Sequence, residues 1–205
     1  MMTNSTIALI EQRISANQFD ASHTLPDAQI EELTRLATRA PSAYNLQNWR
    51  FIAVRTAQAK ARLQRLAYGQ AKVGEAAVTF IVCGVLPDHA TIPGRLSPFV
   101  EAGFMPAAAV AGWQDGARAQ YADPQTARDE AVRSASLGAA TLIYAAEALA
   151  LATGPMIGFD AEGVTREFGL QPNEVPVMLV TVGRPASGNW PQKPRRPLAE
   201  VLEIL

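Results

Sequence analysis

The sequence predicts a single α+β domain over residues 1–205, in which helices flank a sheet. Strand-like patterns support the sheet: polarity alternates at 49–55, while 77–85 and 175–182 are nearly all apolar, as in strands buried on both faces. Helical spacing of apolar residues separates these strands, most clearly at 128–153. A chain of 205 residues is long enough to bury a sizeable core.

Composition argues against several classes of function. The formal net charge is −1 and no basic stripe is present, so nucleic-acid binding is not predicted. The single cysteine, Cys83, excludes an intrachain disulfide and lies in an apolar strand pattern, which predicts a buried, inert thiol. The histidines, His23 and His89, are far apart, and no cluster has metal-site spacing. The N-terminus lacks the pattern of a signal peptide, so a cytoplasmic setting is expected.

The stretch at 128–153 is apolar nearly all round. After Arg133 its only formally charged residue is Glu147. Such a helix is either buried on every side or spans a membrane; Glu147 and several hydroxyl side chains argue against a membrane span. In a chain of this size, a helix buried all round suggests that a second subunit covers it. Gly154 and Pro155 are predicted to end the helix.

A dense group of short polar side chains lies at 39–51, between a helical pattern and a strand pattern. Pro41 is expected to end the helix, because it lacks an N–H and restricts the residue before it. The polar side chains that follow are Ser42, Asn45, Gln47 and Asn48. They donate and accept hydrogen bonds without charge, which suits a flat heterocycle edged with N–H and C=O groups. On these residues alone, a locally capped turn is the simpler explanation.

The segment APSAYNLQNWRF at 40–51 resembles the signature of the FMN-dependent nitroreductase family, roughly A-P-S-x-x-N-x-Q-P-W-x-F. It departs from that signature at Asn48, where the family usually has proline. The exchange is expected to loosen the loop without removing a ligand. The resemblance covers nearly the whole chain except 86–123, which corresponds to a variable excursion over the active site, and it treats 190–205 as a C-terminal extension.

Three further segments resemble family elements, in the family's order. The first, at 13–20, is like R-x-S-x-R/K-x-F, with Asn17 where the family often has a basic residue. The second, at 153–160, is like G-x-P-x-x-G-F, whose main-chain amides approach the flavin. The third, at 193–197, is like K/R-x-R-x-P, with Arg196 as an extra cation. Gln70 and Lys72 are the nearest matches to an amide and a basic group beside the flavin pyrimidine, although a solvated lysine is equally compatible.

The resemblance implies a mainly antiparallel sheet flanked by helices, in an intertwined homodimer with two FMN sites shared between subunits. The cofactor-binding residues that it implies are Arg13, Ser15, Asn17, Pro41, Ser42, Asn45, Gln47, Gln70, Lys72, Pro155, Met156, Ile157, Gly158, Lys193 and Arg195. By the resemblance, phosphate and ribityl groups would be held by Arg13, Ser15, Lys193 and Arg195. The flavin of the other subunit would be reached by Pro41, Ser42 and Asn45. Flavin N5 would carry the chemistry, and no protein acid or base is identified.

The implied activity is ping-pong hydride transfer from NADH or NADPH, through FMN, to a small electron-poor acceptor such as a nitroaromatic, a quinone or an activated enone. Three alternatives stay open: a flavin-dependent dehydrogenase or oxidase of one metabolite, a flavin-binding module without turnover, and a helical interaction protein without a cofactor. A dinucleotide-binding G-x-G-x-x-G motif after a strand is absent from the sequence. Aromatic residues and Met105 at 86–123 are candidates to line a substrate site, but core or interface packing is expected for most of them.

Overall fold

The computed structural model describes residues 5–205. Residues 1–4, on which the expected absence of a signal peptide partly rests, lie outside the described part. The helices are α1 (Ser5–Gln12), α2 (Asp27–Ala37), α3 (Ala57–Leu66), α4 (Ala71–Glu75), α5 (Ile92–Glu101), α6 (Ala107–Gln120), α7 (Pro124–Ala148) and α8 (Ala161–Phe168). The strands are β1 (Trp49–Val54), β2 (Val78–Val85), β3 (Ala152–Met156) and β4 (Glu174–Gly183).

The four strands form one sheet in the order β1-β2-β4-β3, and every neighbouring pair is antiparallel. The α+β class with an antiparallel sheet is therefore confirmed. The three strands predicted from the sequence are present within two residues of their expected bounds. The fourth, β3, was not predicted, and it forms one edge of the sheet beside β4.

Alternation along β2 divides the core into two layers. Phe80 and Val82 pack with α2 and α7 on one face of the sheet. Ile81 and Cys83 pack on the other face, with α3 and α8. Burial raises the pKa of the Cys83 thiol to about 12, which disfavours the reactive thiolate. The prediction that this cysteine is buried is confirmed.

Small residues let α7 lie directly on the sheet. A Cβ added at Gly84 in β2 would be 2.4 Å from the carbonyl oxygen of Ala131, so only glycine fits there. The buried side chains of α7 follow one helical face, which includes Ala135, Ala139 and Leu142. In the C-terminal half of α7 the remaining face, which includes Leu137 and Tyr144, is also largely apolar but exposed.

The expected end of α7 is wrong, and its burial on every side, which was expected to need a second subunit, is not reached within the single chain. The helix is buried on one face and not all round: Leu137 on the opposite face is 40% exposed. It also ends at Ala148, because Ala150 adopts a left-handed φ of 57° and turns the chain into β3. Gly154 and Pro155 therefore lie in a strand and do not end the helix. Among the described residues, no helix is both long enough and apolar enough to cross a membrane.

The excursion at 86–123 folds into α5 and α6, which share a separate apolar cluster with Leu46 from the polar loop. Met105 is buried in that cluster and Tyr121 packs against it, as expected of core residues. Phe99 and Phe104 remain exposed, with ring centroids 5.3 Å apart. The excursion therefore supports the polar loop through the cluster around Leu46, and it also exposes aromatic side chains to solvent.

Candidate functional site

Three cations converge on one pocket from the two ends of the chain. Arg13, just after α1, lines this pocket of about 90 Å³ with Ser15, Lys193 and Arg195. The amide of Gln192 donates to the carbonyl oxygen of Arg13 at 2.9 Å, which ties the C-terminal segment to the end of α1. The pocket is polar and open, as an anion-binding surface requires.

The three cations of this pocket differ from the neighbouring Arg196 in their ion pairing. None of the three forms an ion pair with a carboxylate within residues 5–205. Arg196 differs, because its guanidinium pairs with Glu200 at 3.0 Å. Burial raises the pKa of the Glu147 carboxyl and so favours its neutral form, although the nearby charge of Arg13 acts in the opposite direction.

Lys72 lies beside this cation group. Its ammonium donates to Oδ1 of Asn17 at 3.2 Å. Partial burial, and then the charge of Lys193, lower the pKa of Lys72, since both disfavour the ammonium form. An anionic oxygen placed next to Lys72 would favour the ammonium form and so oppose both effects.

Asn189, which the sequence did not single out, organises the backbone beneath Lys72. Its Oδ1 accepts from the backbone N–H groups of Asn17 and Gln18, at 2.7 and 3.1 Å. Its Nδ2 donates to the carbonyl oxygens of Gln18 and Ala186, at 2.8 and 3.0 Å. Three of these four hydrogen bonds join the segment after β4 to the segment after α1, and the fourth lies within the segment after β4.

The segment after β3 lies against Gln70. Nε2 of Gln70 donates to the carbonyl oxygen of Gly158 at 2.9 Å. The side chain of Met156 is buried in the core, whereas Ile157 is 79% exposed. The side chain of Met156 is therefore closed to a ligand, while that of Ile157 is accessible.

Backbone pairing joins β3 to the residues after α1. The N–H of Ala16 donates to the carbonyl oxygen of Thr153 at 2.7 Å, and Ser15 forms a parallel bridge to the same residue. Gly154 allows this approach, because an added Cβ would be 2.5 Å from the carbonyl oxygen of Ala16. These contacts group the predicted residues around β3, and we call the group the β3-edge site. It consists of Arg13, Ser15, Asn17, Gln70, Lys72, Pro155, Met156, Ile157, Gly158, Lys193 and Arg195.

The polar loop at 41–48 has an unusual backbone. Tyr44, Asn45 and Gln47 have left-handed φ values of 52°, 52° and 45°, each of which costs on the order of 1–3 kcal/mol for a residue with a side chain. Oγ of Ser42 accepts from the N–H of Gln47 at 2.9 Å, and Nε2 of Gln47 donates to Oδ1 of Asn45 at 3.2 Å. The loop is therefore held in one strained conformation.

Asn48 fastens this loop to β2, which corrects the expectation that losing the family's proline would loosen it. Nδ2 of Asn48 donates to the carbonyl oxygen of Val85 at 3.0 Å, and the Val85 N–H donates to the Asn48 carbonyl at 2.9 Å. The side chain is buried and its Oδ1 has no partner in the described residues. An asparagine here replaces the rigidity of proline with a hydrogen bond between side chain and backbone.

The polar loop and the β3-edge site lie at opposite edges of the sheet. The loop, which holds Pro41, Ser42, Asn45 and Gln47, leads into β1, while the β3-edge site surrounds β3. Three strand spacings of about 4.8 Å separate these edges by roughly 14 Å. No hydrogen bond within the described residues joins the two groups. The predicted site residues of one chain therefore fall into two separate groups.

Comparison with known proteins assigns the family. The model of the Nitroreductase family matches residues 10–184. The Bacillus subtilis protein YodC, which bears the name of an NAD(P)H nitroreductase, is 32% identical over 203 residues, covering 98% of each chain. A Bacillus subtilis nitroreductase structure, ydfN, superimposes with a TM-score of 0.90 at 29% identity, covering 97% of this chain and 98% of the other.

A further solved structure shares the fold. A nitroreductase from Exiguobacterium sibiricum, determined in complex with FMN, has a TM-score of 0.90 at 22% identity, and the match covers 100% of this chain and 99% of that one. The family match spans most of the chain, and the sequence likeness to YodC spans nearly all of it. This chain therefore belongs to the nitroreductase family.

Proposed function

We propose that this protein is an FMN-dependent NAD(P)H oxidoreductase that reduces small electron-poor acceptors, such as nitroaromatics and quinones, at two sites shared between the subunits of a homodimer. The observation that carries the proposal is the convergence of Arg13, Lys193 and Arg195, none of them paired with a carboxylate, on one pocket beside Lys72. Guanidinium groups suit phosphate because their N–H donors match its oxygens.

The residues of the β3-edge site fit the parts of FMN. The cations and the Ser15 hydroxyl suit the phosphate, and the amide of Asn17 and the ammonium of Lys72 suit ribityl and pyrimidine oxygens. Gly158 leaves its backbone approachable, since an added Cβ would contact only the side chain of Gln70, at 3.4 Å. Uncharged amides in the polar loop suit the N–H and C=O edge of a flavin.

Bound FMN would supply the redox chemistry, taking a hydride from NADH or NADPH and passing it to the acceptor. The residues of the chain would bind the cofactor and orient it. Lys72 carries a positive charge that is already partly desolvated, and it would stabilise negative charge on a reduced ring bound beside it. Asn189 and Gln70 hold the backbone around the site in place. None of these roles requires a protein acid or base.

The separation of the two groups of predicted site residues supports a dimer in which each site combines the β3-edge site of one subunit with the polar loop of the other. Apolar surface is available for such an assembly. A groove of about 610 Å³ between α1 and the end of α7 is lined in part by Leu9, Ile10 and Tyr144. The C-terminal segment after Pro197 adds exposed apolar side chains, namely Leu198, Val201, Leu202, Ile204 and Leu205.

The test is a visible absorption spectrum of the purified protein with FMN, recorded without oxygen before and after NADPH or NADH is added. We expect flavin bands that bleach on addition of the nucleotide and return when a quinone or nitroaromatic is supplied. Bands that never bleach would favour a binding module, and bleaching without reoxidation by either acceptor would favour an enzyme of one metabolite. Failure to bind FMN at all would refute the proposal.

A further inference from the structure

Alternate side chains of the polar loop face opposite directions. Asn45 and Gln47 are exposed, whereas Leu46 is fully buried and Tyr44 is half-buried. The outward pair consists of amides suited to a flavin edge. The inward pair contacts the excursion at α5 and α6. The loop thus has a binding side and an anchoring side.

Tyr44 anchors the inward side together with the fully buried Leu46. Its ring packs edge-to-face against Trp113 and Tyr121, with ring centroids 6.1 Å apart in both pairs. Its hydroxyl donates to Oε1 of Gln120 at 2.8 Å. Gly116 leaves room for the ring, because a Cβ added there would lie 3.3 Å from the Tyr44 oxygen. Tyr44 therefore contacts α6 at three positions, namely Trp113, Gly116 and Gln120.

The anchor coincides with the strained backbone. Tyr44 and Asn45 both have left-handed φ values, which residues with side chains rarely adopt without support. Hydrogen bonds within the loop join Ser42 to Gln47 and Gln47 to Asn45, but they do not attach the loop to the rest of the molecule. The contacts of Tyr44 with α6 supply such an attachment, next to Asn45.

We infer that Tyr44 is a positioning residue: it transmits the packing of α5 and α6 to the orientation of Asn45 and Gln47, and so controls cofactor affinity without touching the cofactor. This inference rests on the proposed function. It also gives the excursion a second role, since the helices expected to cover a substrate support the cofactor-binding loop.

Two glycines of α6 provide a matched test. Gly116→Val places methyl groups against Tyr44, whereas Gly112→Val makes the same change one turn earlier, where an added Cβ meets nothing within 4 Å. Cofactor-free full-length protein is titrated with FMN, and quenching of flavin fluorescence gives Kd. We expect Gly116→Val to raise Kd by about tenfold or more, and Gly112→Val to change it by less than about threefold.

A double-mutant cycle separates positioning from general destabilisation. If Tyr44 acts through the outward amides, Gly116→Val adds little to the loss caused by Asn45→Ala, and the two effects are less than multiplicative. Should Gly116→Val fail to fold, Tyr44→Leu replaces it, and Tyr44→Phe, which keeps the ring contacts, is expected to restore Kd to within about threefold of wild type.

Equal losses in the two glycine variants, or fully multiplicative effects with Asn45→Ala, would overturn the positioning role. In both outcomes the wild-type protein still binds FMN, so neither outcome contradicts the proposed function. Absence of FMN binding by the wild-type protein would instead refute the proposed function itself.

Discussion

Replacing Arg13 and Arg195 together by alanine is expected to weaken FMN binding by at least about 100-fold, since each charge-assisted hydrogen bond contributes roughly 1.5–3 kcal/mol. Both residues line the cation pocket. Neither is paired with a carboxylate within the described residues, so their removal leaves no unpaired buried charge. Flavin fluorescence titration measures the loss, and the wild-type affinity is expected to fall with salt concentration.

Arg196→Ala is the matched control for this double substitution. Arg196 lies in the same segment, but its guanidinium donates to the Glu200 carboxylate at 3.0 Å and to the Glu200 carbonyl oxygen. We expect its removal to change FMN affinity by less than about threefold. An equal loss in Arg196→Ala would show that overall charge, and not the pocket, attracts the phosphate.

Gly154→Ala is expected to destabilise the protein by about 3 kcal/mol, because overpacking against immobile groups is costly. The added methyl group would lie 2.5 Å from the Ala16 carbonyl oxygen and from Oγ1 of Thr181. Thr181 donates to the carbonyl oxygen of Gly154 at 3.1 Å. The substitution therefore separates β3 from the residues after α1. Unfolding in urea measures the free energy of unfolding of the variant and of the wild type.

Gly94→Ala serves as the control for the glycine substitution. Gly94 lies inside α5, where an added Cβ meets nothing within 4 Å. Alanine is the better helix former, so a gain of up to about 1 kcal/mol in the free energy of unfolding is expected. Similar free energies of unfolding for Gly154→Ala and the wild type would contradict the close approach of β3 to Ala16.

The sequence predicted those strands whose apolar runs are intrinsic to them. Each run in β2 and β4 reads as a buried strand because both faces of the sheet are covered. β3 carries no such signal, since it contains Gly154 and Pro155, and its strand conformation depends on pairing with β4 and on Ala16. Because Gly154 and Pro155 were predicted to end α7, the helix was expected to reach residue 153, whereas it ends at Ala148.

For the candidate site, motifs predicted the residues but not their supports. Asn189 and Gln192 hold the backbone around Arg13 and Lys72 through tertiary contacts, which leave no local pattern in the sequence. The role of Tyr44 likewise depends on α6, which is distant in the chain. Composition could suggest a second subunit, but only the placement of loop and cations at opposite edges of the sheet indicates which parts would combine.

The most direct test of the shared site is complementation between two defective chains. One carries Arg13→Ala and Arg195→Ala, and the other carries Asn45→Ala and Gln47→Ala. Each is purified alone, and a concentration of FMN is chosen at which neither binds. The two chains are then co-expressed and assayed at that concentration.

If each site joins the cations of one subunit to the polar loop of the other, a mixed dimer contains one intact site. Random pairing makes half of the dimers mixed, so about a quarter of the wild-type FMN-binding capacity is expected to return. If each site were built within one chain, every site in every dimer would remain defective. No recovery of FMN binding, with mixed dimers shown to be present, would contradict the account.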